Sequence, residues 1–302
     1  MSGYRLPAPA GHLLDRSQPI SFEFNGRMYS GFRGDTLASA LIANGVRLVG
    51  RSFKLHRPRG IFSCGVEEPT GLVDVGSGAR RTPNLRATMV PLRAGLSAQS
   101  VNCWPSVEFD LGAVNNLFSR FLPAGFYYKT FKWPDWHLFE PSIRRMAGLG
   151  KGSSSKDPDH YEEVSASADV LVIGGGPAGL SAALAACAAG ADTLLLASSA
   201  QLGGAAGLQP DEDMRDLIAK VRKAGVRVLL NTQAFGAYDH QLVCAAERLP
   251  DAHAGEGASP VLRERLWKIR ARHIISACGA FERPLLFPGN DTPGVMLAGA
   301  AV

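Results

Sequence analysis

Three glycines between two apolar stretches form the pattern in this chain whose spacing points most directly to chemistry. Gly174, Gly176 and Gly179 have the spacing G-x-G-x-x-G, between an apolar run at 169–173 and a helix-forming block at 180–189. In such a unit the first glycine permits a tight turn, the second lets the backbone approach a pyrophosphate, and the third lets the helix pack closely on the strand. The helix N-terminus then offers free N–H groups to the phosphates. The pattern predicts a dinucleotide-binding βαβ unit, and the alternative is a glycine-rich turn in another α/β domain.

The neighbouring loops supply further candidate cofactor contacts. They are the two residues after the second glycine, the end of the second strand, a second glycine turn, and positions in or after later strands. The predicted cofactor-binding residues are Gly174, Gly176, Pro177, Ala178, Gly179, Ser198, Ser199, Gly204, Ala205, Ala234 and Gly279.

The residue that would select the dinucleotide is missing from its usual place. The acidic residue that accepts hydrogen bonds from the adenosine ribose belongs at position 197 or 198, and Ala197 and Ser198 are uncharged. Its loss weakens selective binding of NAD and also removes the charge that repels a 2′-phosphate. Because no nearby arginine favours NADP, we expect NAD ahead of NADP or FAD. FAD is a fair alternative, since flavin and nicotinamide folds share a G-x-G-P-A-G string with a Gly-Gly turn.

No catalytic or metal-binding constellation emerges from the sequence. The seven histidines show no metal or triad spacing to cysteines or acidic residues, so each is predicted to be structural or surface-exposed. Cys278 precedes Gly279, but an apolar flank and the absence of a C-x-x-C motif favour core packing. We therefore predict no catalytic residue and no metal ligand in this chain.

Composition indicates an ordinary globular chain of about two domains. Of its 302 residues 46% are hydrophobic and 20% charged, and the net charge is +5 with the basic excess in the first hundred residues. Basic and aromatic residues do not interleave there, so a solvated or subunit-facing surface is favoured over nucleic acid. Five scattered cysteines indicate reduced thiols. Without a signal peptide or an 18-residue apolar stretch, we expect no membrane contact and a cytoplasmic location.

The elements around these residues predict two folds joined by a connector. The alternating run 20–29 turns at Asn25-Gly26, and Asp35 or Thr36 caps a helix over 37–44, which is how a β-grasp domain begins. In the second fold, strands are predicted at 169–173, 193–196, 226–230 and 274–277, with an inserted β excursion over 234–269 and a polar tip at 250–260. The fold class is α/β plus α+β: a ferredoxin-like β-grasp domain at 1–102, a connector at 103–166, and a Rossmann-like dinucleotide domain at 167–302.

The connector is rich in aromatic rings and prolines. We expect its rings to lie on a neighbouring domain or subunit, because so many apolar rings are rarely left in water. They are Trp104, Phe126, Tyr127, Tyr128, Trp133 and Trp136.

Several ungapped strings resemble a known family. GDTLASALIANGVRLVGRSFKLHRPRG (34–60), QSVNCWPS (99–106), AGFYYKTFKWP (124–134) and DPDHYE (157–162) resemble the N-terminal third of the alpha subunit of heterotetrameric sarcosine oxidase. The resemblance runs from about Asp15 to the last residue. More distantly, ACGAFERP (277–284) is similar to a segment in the large subunits of opine oxidases and hydrogen cyanide synthase.

The resemblance implies a subunit or fragment of an amine oxidoreductase that demethylates an N-methyl amino acid. In that family the dinucleotide domain holds NAD non-catalytically, and the alpha subunit continues into a tetrahydrofolate-binding region. A beta-type partner carries FAD, FMN lies at the subunit interface, and further small subunits are present. The dinucleotide domain is therefore expected to be incomplete at residue 302. The alternatives are a nucleotide-binding scaffold without enzymatic activity and an NAD(P)H-dependent flavoprotein reductase.

The resemblance also bears on iron–sulfur chemistry. Relatives that hold a [2Fe–2S] cluster carry closely spaced cysteines directly after a Pro-Arg-Gly-x-Phe segment, here 58–62, and a cluster needs four ligands. Only Cys64 follows at that place, and Cys103 is the next cysteine. We expect no iron–sulfur cluster.

Overall fold

The structure of the chain, a computed structural model, describes residues 4–121, 125, 131, 133–146, 150–249 and 259–301. It divides into two compact units. The first unit comprises Asp15–Lys156 together with the chain up to Arg5 and from Glu282 onward. The second unit comprises Leu6–Leu14 and Asp157–Phe281.

The elements of the first unit are β1 Asp15–Phe24, β2 Arg27–Arg33, α1 Leu37–Ala43, β3 Gly50–Arg51, β4 Pro58–Arg59, β5 Leu72–Val75, β6 Thr82–Arg86, β7 Ser97–Ser100, α2 Trp136–Met146 and α5 Ala298–Ala301. Five of the strands form a mixed sheet in the order β2-β1-β7-β5-β6, with β1 and β7 parallel and the other neighbours antiparallel. Asn25 and Gly26 both have positive φ, 52° and 75°, so the predicted hairpin turn is present. The helix α1 packs its apolar face on Phe22 and Phe24 of β1.

The two residues that the sequence predicts as caps of α1 have different roles. Thr36 is the cap, in a reciprocal capping box with Ser39. Asp35 is instead buried, and its carboxylate accepts hydrogen bonds from the Arg5 guanidinium (2.5 Å), the Phe32 amide (2.8 Å) and the Ser39 hydroxyl (2.7 Å). The segment 1–18 carries prolines, glycines and few charges, a composition that predicts a loosely held arm. The prediction is wrong at Arg5, because the buried Asp35 carboxylate holds its guanidinium.

Three of the basic residues at 47–59 have partners within the first unit. The Arg51 guanidinium donates to the carbonyls of His56 and Val107, and Arg57 and Arg59 both form ion pairs with Asp291. Burial alone would raise the pKa of Asp291, but the two guanidinium groups outweigh it and hold that pKa below its usual value. Much of this positive charge is therefore structural.

The elements of the second unit are β8 His160–Ile173, α3 Pro177–Ala188, β9 Thr193–Leu196, α4 Glu212–Lys223, β10 Arg227–Leu229, β11 Thr232–Tyr238, β12 Leu242–Arg248 and β13 Leu262–Ser276. Its six strands form one sheet in the order β10-β9-β8-β13-β12-β11, parallel from β10 to β13 and antiparallel from β13 to β11. Apolar clusters cover both faces of this sheet, which is typical of a parallel sheet. The inserted β excursion is present as β11, β12 and the first part of β13, and most of its predicted polar tip lies outside the described residues.

The first strand of this unit is longer than the sequence indicates. It begins at His160, nine residues before the predicted start at 169. Along this added length it pairs with β13, where Glu162 meets Arg265 (2.8 Å) and Glu163 meets Lys268 (2.5 Å). The prediction missed this part because most of its side chains are polar or exposed, and the alternation at 164–168 involves mainly small alanine side chains.

Two of the connector's predicted rings are exposed and a third is half-buried. Trp104 and Trp133 expose 69% and 84% of their surface, whereas Trp136, at the start of α2, is half-buried. Residues 126–128, which carry three more of the predicted rings, lie outside the described residues. In the described part of the chain, no helix is long and apolar enough to cross a bilayer.

We predict that Asp35→Ala lowers the free energy of unfolding of the first unit by about 3 kcal/mol, because it leaves a buried amide and the Arg5 guanidinium without their acceptor. Asp15→Ala is the matched control, since that carboxylate bonds only to exposed partners, Ser17 and Gln18. Its expected cost is below about 0.5 kcal/mol. Urea unfolding followed by circular dichroism measures both, and equal costs would contradict the assigned role.

Candidate dinucleotide site

The first glycine turn is held by contacts between backbone atoms. Gly174 follows β8 with φ of 120°, and a Cβ there would lie 2.1 Å from the carbonyl oxygen of Ala277. A Cβ at Gly179 would lie 1.9 Å from the carbonyl oxygen of Gly174. Backbone cannot yield as a flexible side chain can, so both positions require glycine. The first and third glycines therefore have the roles that their spacing predicts.

The second glycine is the one that faces open space. Gly176 has an ordinary φ of −82°, and no described atom outside its immediate neighbours lies within 4 Å of where its Cβ would be. Pro177 follows as the first residue of α3, and the Leu180 amide donates to the Gly176 carbonyl. The N–H groups of Ala178 and Gly179 are in the first turn of α3, where the helix itself offers no acceptor.

The second glycine turn lies against the first. The Gly203 amide donates to the Gly175 carbonyl (2.8 Å), and a Cβ at Gly204 would lie 3.0 Å from the Cα of Gly176. Ala205 continues into the short 3₁₀ turn that follows. The two turns form what we call the glycine cradle, Gly174–Gly176 with Gly203 and Gly204. Its bare backbone and the start of α3 fit a pyrophosphate group.

At the ribose end, the structure separates the two candidate positions for the missing acid. Ala197 is buried, its N–H donates to Leu229, and its side chain packs in the apolar cluster beneath α3. Ser198 is exposed and is therefore the position from which a carboxylate could reach a ligand. The Ser199 hydroxyl donates to the Gln201 carbonyl (2.7 Å). Neutral hydroxyl groups are thus what this end offers.

The structure brings one of the two remaining predicted residues to the cradle. Gly279 follows β13 with φ of 75°, one residue after Cys278, whose amide nitrogen would lie 3.3 Å from a Cβ at Gly174. Ala234 is different, because it lies in β11 and packs against the apolar cluster on the other face of the sheet. The prediction that Ala234 contacts the cofactor gains no support from this position.

Cys278 departs from its sequence prediction, and the partner of His56 was not predicted. Cys278 is exposed rather than packed in the core, with its sulfur 3.4 Å from the Ser276 hydroxyl. His56 pairs with the buried carboxylate of Asp110 (2.7 Å), which also accepts from the amide of Gly112. Because 54 residues separate His56 from Asp110, local spacing in the sequence does not reveal this pair. It closes a loop of the first unit.

The residues after the Pro-Arg-Gly-x-Phe segment do not fit an iron–sulfur cluster. Cys64 is the single thiol in that stretch, and burial together with the nearby Glu67 carboxylate raises its pKa, which disfavours the thiolate that iron requires. Among the described residues, no group of three or more His, Cys, Asp or Glu side chains is arranged to hold a metal ion.

The second unit also has a surface pocket of about 360 Å³. It is bordered by the chain segment at His12 and Leu13 and by the Arg215 and Arg222 face of α4. None of the predicted cofactor residues lines it, although Leu202 and Gly207, on either side of the second glycine turn, do.

Together the two units define a class of fold, a ferredoxin-like domain followed by a Rossmann-type dinucleotide domain, as the sequence predicts. Residues 17–103 match the family described as 2Fe-2S iron-sulfur cluster binding domain, and residues 169–233 match the family described as FAD dependent oxidoreductase. The solved structure of L-proline dehydrogenase from P. horikoshii is similar over 93% of this chain and 44% of that chain, with a TM-score of 0.56 and 21% identity. That similarity concerns the fold alone.

Curated relatives then specify the resemblance. The chain is 53% identical to the sarcosine oxidase subunit alpha of Rhizobium meliloti and 38% identical to that of a Corynebacterium species, in both cases over 99% of its length. It spans 31% and 28% of those relatives' own lengths. The resemblance to this alpha subunit, predicted from the quoted strings, is confirmed over nearly the whole chain.

We predict that Gly176→Ala abolishes dinucleotide binding without destabilising the chain, because its methyl group would enter the open space of the cradle. Gly179→Ala should both destabilise the second unit, by about 3 kcal/mol or more, and abolish binding, because the methyl group meets backbone. Gly152→Ala is the control, since its Cβ also meets open space but far along the chain from the cradle. Thermal unfolding and equilibrium dialysis with NAD and with FAD separate the two effects. Unimpaired binding by Gly176→Ala would contradict the assignment of the cradle.

Proposed function

We propose that this chain is the ferredoxin-like and dinucleotide-binding part of a sarcosine oxidase-type amine oxidoreductase, in which it binds a dinucleotide and contributes to assembly. The observation that carries the proposal is 53% identity over 99% of the chain to a sarcosine oxidase subunit alpha. The reaction of the whole complex would be oxidative demethylation of an N-methyl amino acid such as sarcosine.

The ligand of the cradle is proposed as the ADP moiety that NAD and FAD share. The glycine cradle and the first turn of α3 recognise a pyrophosphate, which both dinucleotides contain. The family match over 169–233 favours FAD. NAD remains the ligand that the resemblance implies. Neither choice requires a negative charge at Ser198. The adenosine ribose of either dinucleotide would nevertheless bind more tightly to a carboxylate at that position.

This chain's own residues are proposed to bind and position rather than to transfer electrons or protons. The cradle consists of glycine backbone, and serines and alanines lie beside it. Neither this backbone nor these side chains can act as a base toward an amine substrate at neutral pH. The amine would therefore be oxidised on a flavin-bearing partner subunit, and the exposed rings Trp104 and Trp133 suit burial against such a neighbour.

The experiment that tests the proposal is identification of the nucleotide released from the purified chain, with the proteins that co-purify from its host. Released NAD together with a flavin-containing partner would support the proposed division of roles. A chain that is yellow and releases FAD on its own, with NAD(P)H oxidation, would replace it with a flavoprotein reductase. Absence of any nucleotide and any flavin partner would contradict the proposal altogether.

We further predict that Ser198→Glu raises the affinity for NAD and for FAD by about 10-fold, because a carboxylate would accept hydrogen bonds from the ribose hydroxyls. NADP should gain nothing, since the new charge repels its 2′-phosphate. Ser155→Glu adds the same charge at an exposed position of the first unit and serves as the control. Fluorescence titration with the three nucleotides measures the change, and equal gains for NADP would contradict a ribose contact at this position.

A further inference from the structure

Glu68 is the most deeply buried carboxylate in its part of the first unit, with 1% of its surface exposed. It lies in the loop 61–71, directly after the Pro-Arg-Gly-x-Phe segment. In the described part of the chain, no arginine or lysine side chain forms an ion pair with it. Burying a carboxylate without a cation is costly unless hydrogen bonds satisfy its oxygens.

Those hydrogen bonds come mostly from the backbone of the same loop. One oxygen accepts from the amides of Phe62 (2.9 Å) and Ser63 (2.6 Å), and from the Ser63 hydroxyl at 3.3 Å. The other accepts from the amides of Thr70 (2.7 Å) and Gly71 (2.7 Å), and from the Thr70 hydroxyl at 3.0 Å. Four backbone N–H groups from the two ends of one loop thus converge on a single anion.

The loop is shaped to hold this carboxylate. A Cβ at Gly71 would lie 3.3 Å from the Glu68 carboxyl carbon and 2.6 Å from a methyl carbon of Ile61, so a side chain there would crowd the anion. The single proton of the Thr70 hydroxyl is shared between Glu68 and the Gly60 carbonyl (2.7 Å), and the Thr88 hydroxyl donates to the Gly65 carbonyl (2.7 Å). The carboxylate is therefore the centre of a network that closes the whole loop.

Convergent backbone N–H groups of this kind form the anion-binding concavities in which proteins hold phosphates and iron–sulfur clusters. The first unit matches a family described as a 2Fe-2S cluster binding domain over residues 17–103, a range that contains this loop. Yet Cys64 is the single thiol in the loop. We infer that residues 61–71 form an anion nest whose anion is the Glu68 carboxylate, supplied by the chain itself in place of an iron–sulfur cluster.

This nest is tested by emptying it and refilling it with a small anion. Glu68→Ala removes the carboxylate and the adjoining Cγ methylene group but leaves the donors in place, and acetate has the size of the group removed. The unfolding temperature of the first unit should fall by about 10 °C, a drop that corresponds to the loss of several charge-assisted hydrogen bonds. Acetate should restore at least half of that loss, whereas chloride at the same ionic strength should not.

Glu67→Ala is the matched control. Its carboxylate is the neighbouring one, it is only half-buried, and it accepts a single backbone hydrogen bond, from the Gly65 amide at 3.2 Å. It should lower the unfolding temperature by about 2 °C or less, without rescue by acetate. Glu68→Gln fills the nest with a neutral side chain and should likewise show no rescue. Equal effects of the two alanine variants, or rescue by chloride as strong as by acetate, would overturn the inference.

Hydrogen exchange on the unsubstituted full chain decides the question if Glu68→Ala does not fold. The amides of Phe62, Ser63, Thr70 and Gly71 should exchange at least about 100-fold more slowly than exposed loop amides. Incubation of the same chain with iron and sulfide under reducing conditions should produce no visible cluster absorbance. Unprotected amides, or a cluster spectrum with stoichiometric iron, would overturn the assignment of the anion.

Discussion

The close approach of three backbone segments underlies the second unit. The end of β8, the start of α3 and the residues after β13 come within contact distance at Gly174 and Gly179, where any side chain would meet a carbonyl oxygen. This contact fixes where α3 begins and hence where its N–H groups point. It also brings the end of β13 to the same edge of the sheet as β8, with which β13 pairs along nearly its whole length. The cradle follows from this constraint, since Gly203 and Gly204 then close it from the other side.

The two units use the same chemical device in opposite ways. In both, backbone N–H groups converge where an anion belongs, because an oriented amide dipole binds negative charge without a basic side chain. In the cradle the space around Gly176 is open, which leaves room for the proposed pyrophosphate. In the loop 61–71 the space is filled by Glu68. The loop of the first unit therefore holds an anion of its own chain, whereas the cradle has room for one from outside.

Local patterns were sufficient to predict much of this structure, and their limits are physical. The strand 193–196, the Asn25-Gly26 turn and the glycine spacing are encoded within a few residues, so they were found at the right places. The first half of β8 was missed because its side chains are polar and it is held by a partner strand a hundred residues away. The pairing of His56 with Asp110 and the burial of Glu68 depend on how loops close in space. The periodicity of apolar residues in the sequence does not predict such contacts.

The closed nest also changes what the first unit requires of the cell. A loop whose central anion is covalently part of the chain needs no iron or sulfide to fill it. With Glu68 as the anion of the loop, the first unit keeps a ferredoxin-like fold, and translation of the chain alone supplies that anion.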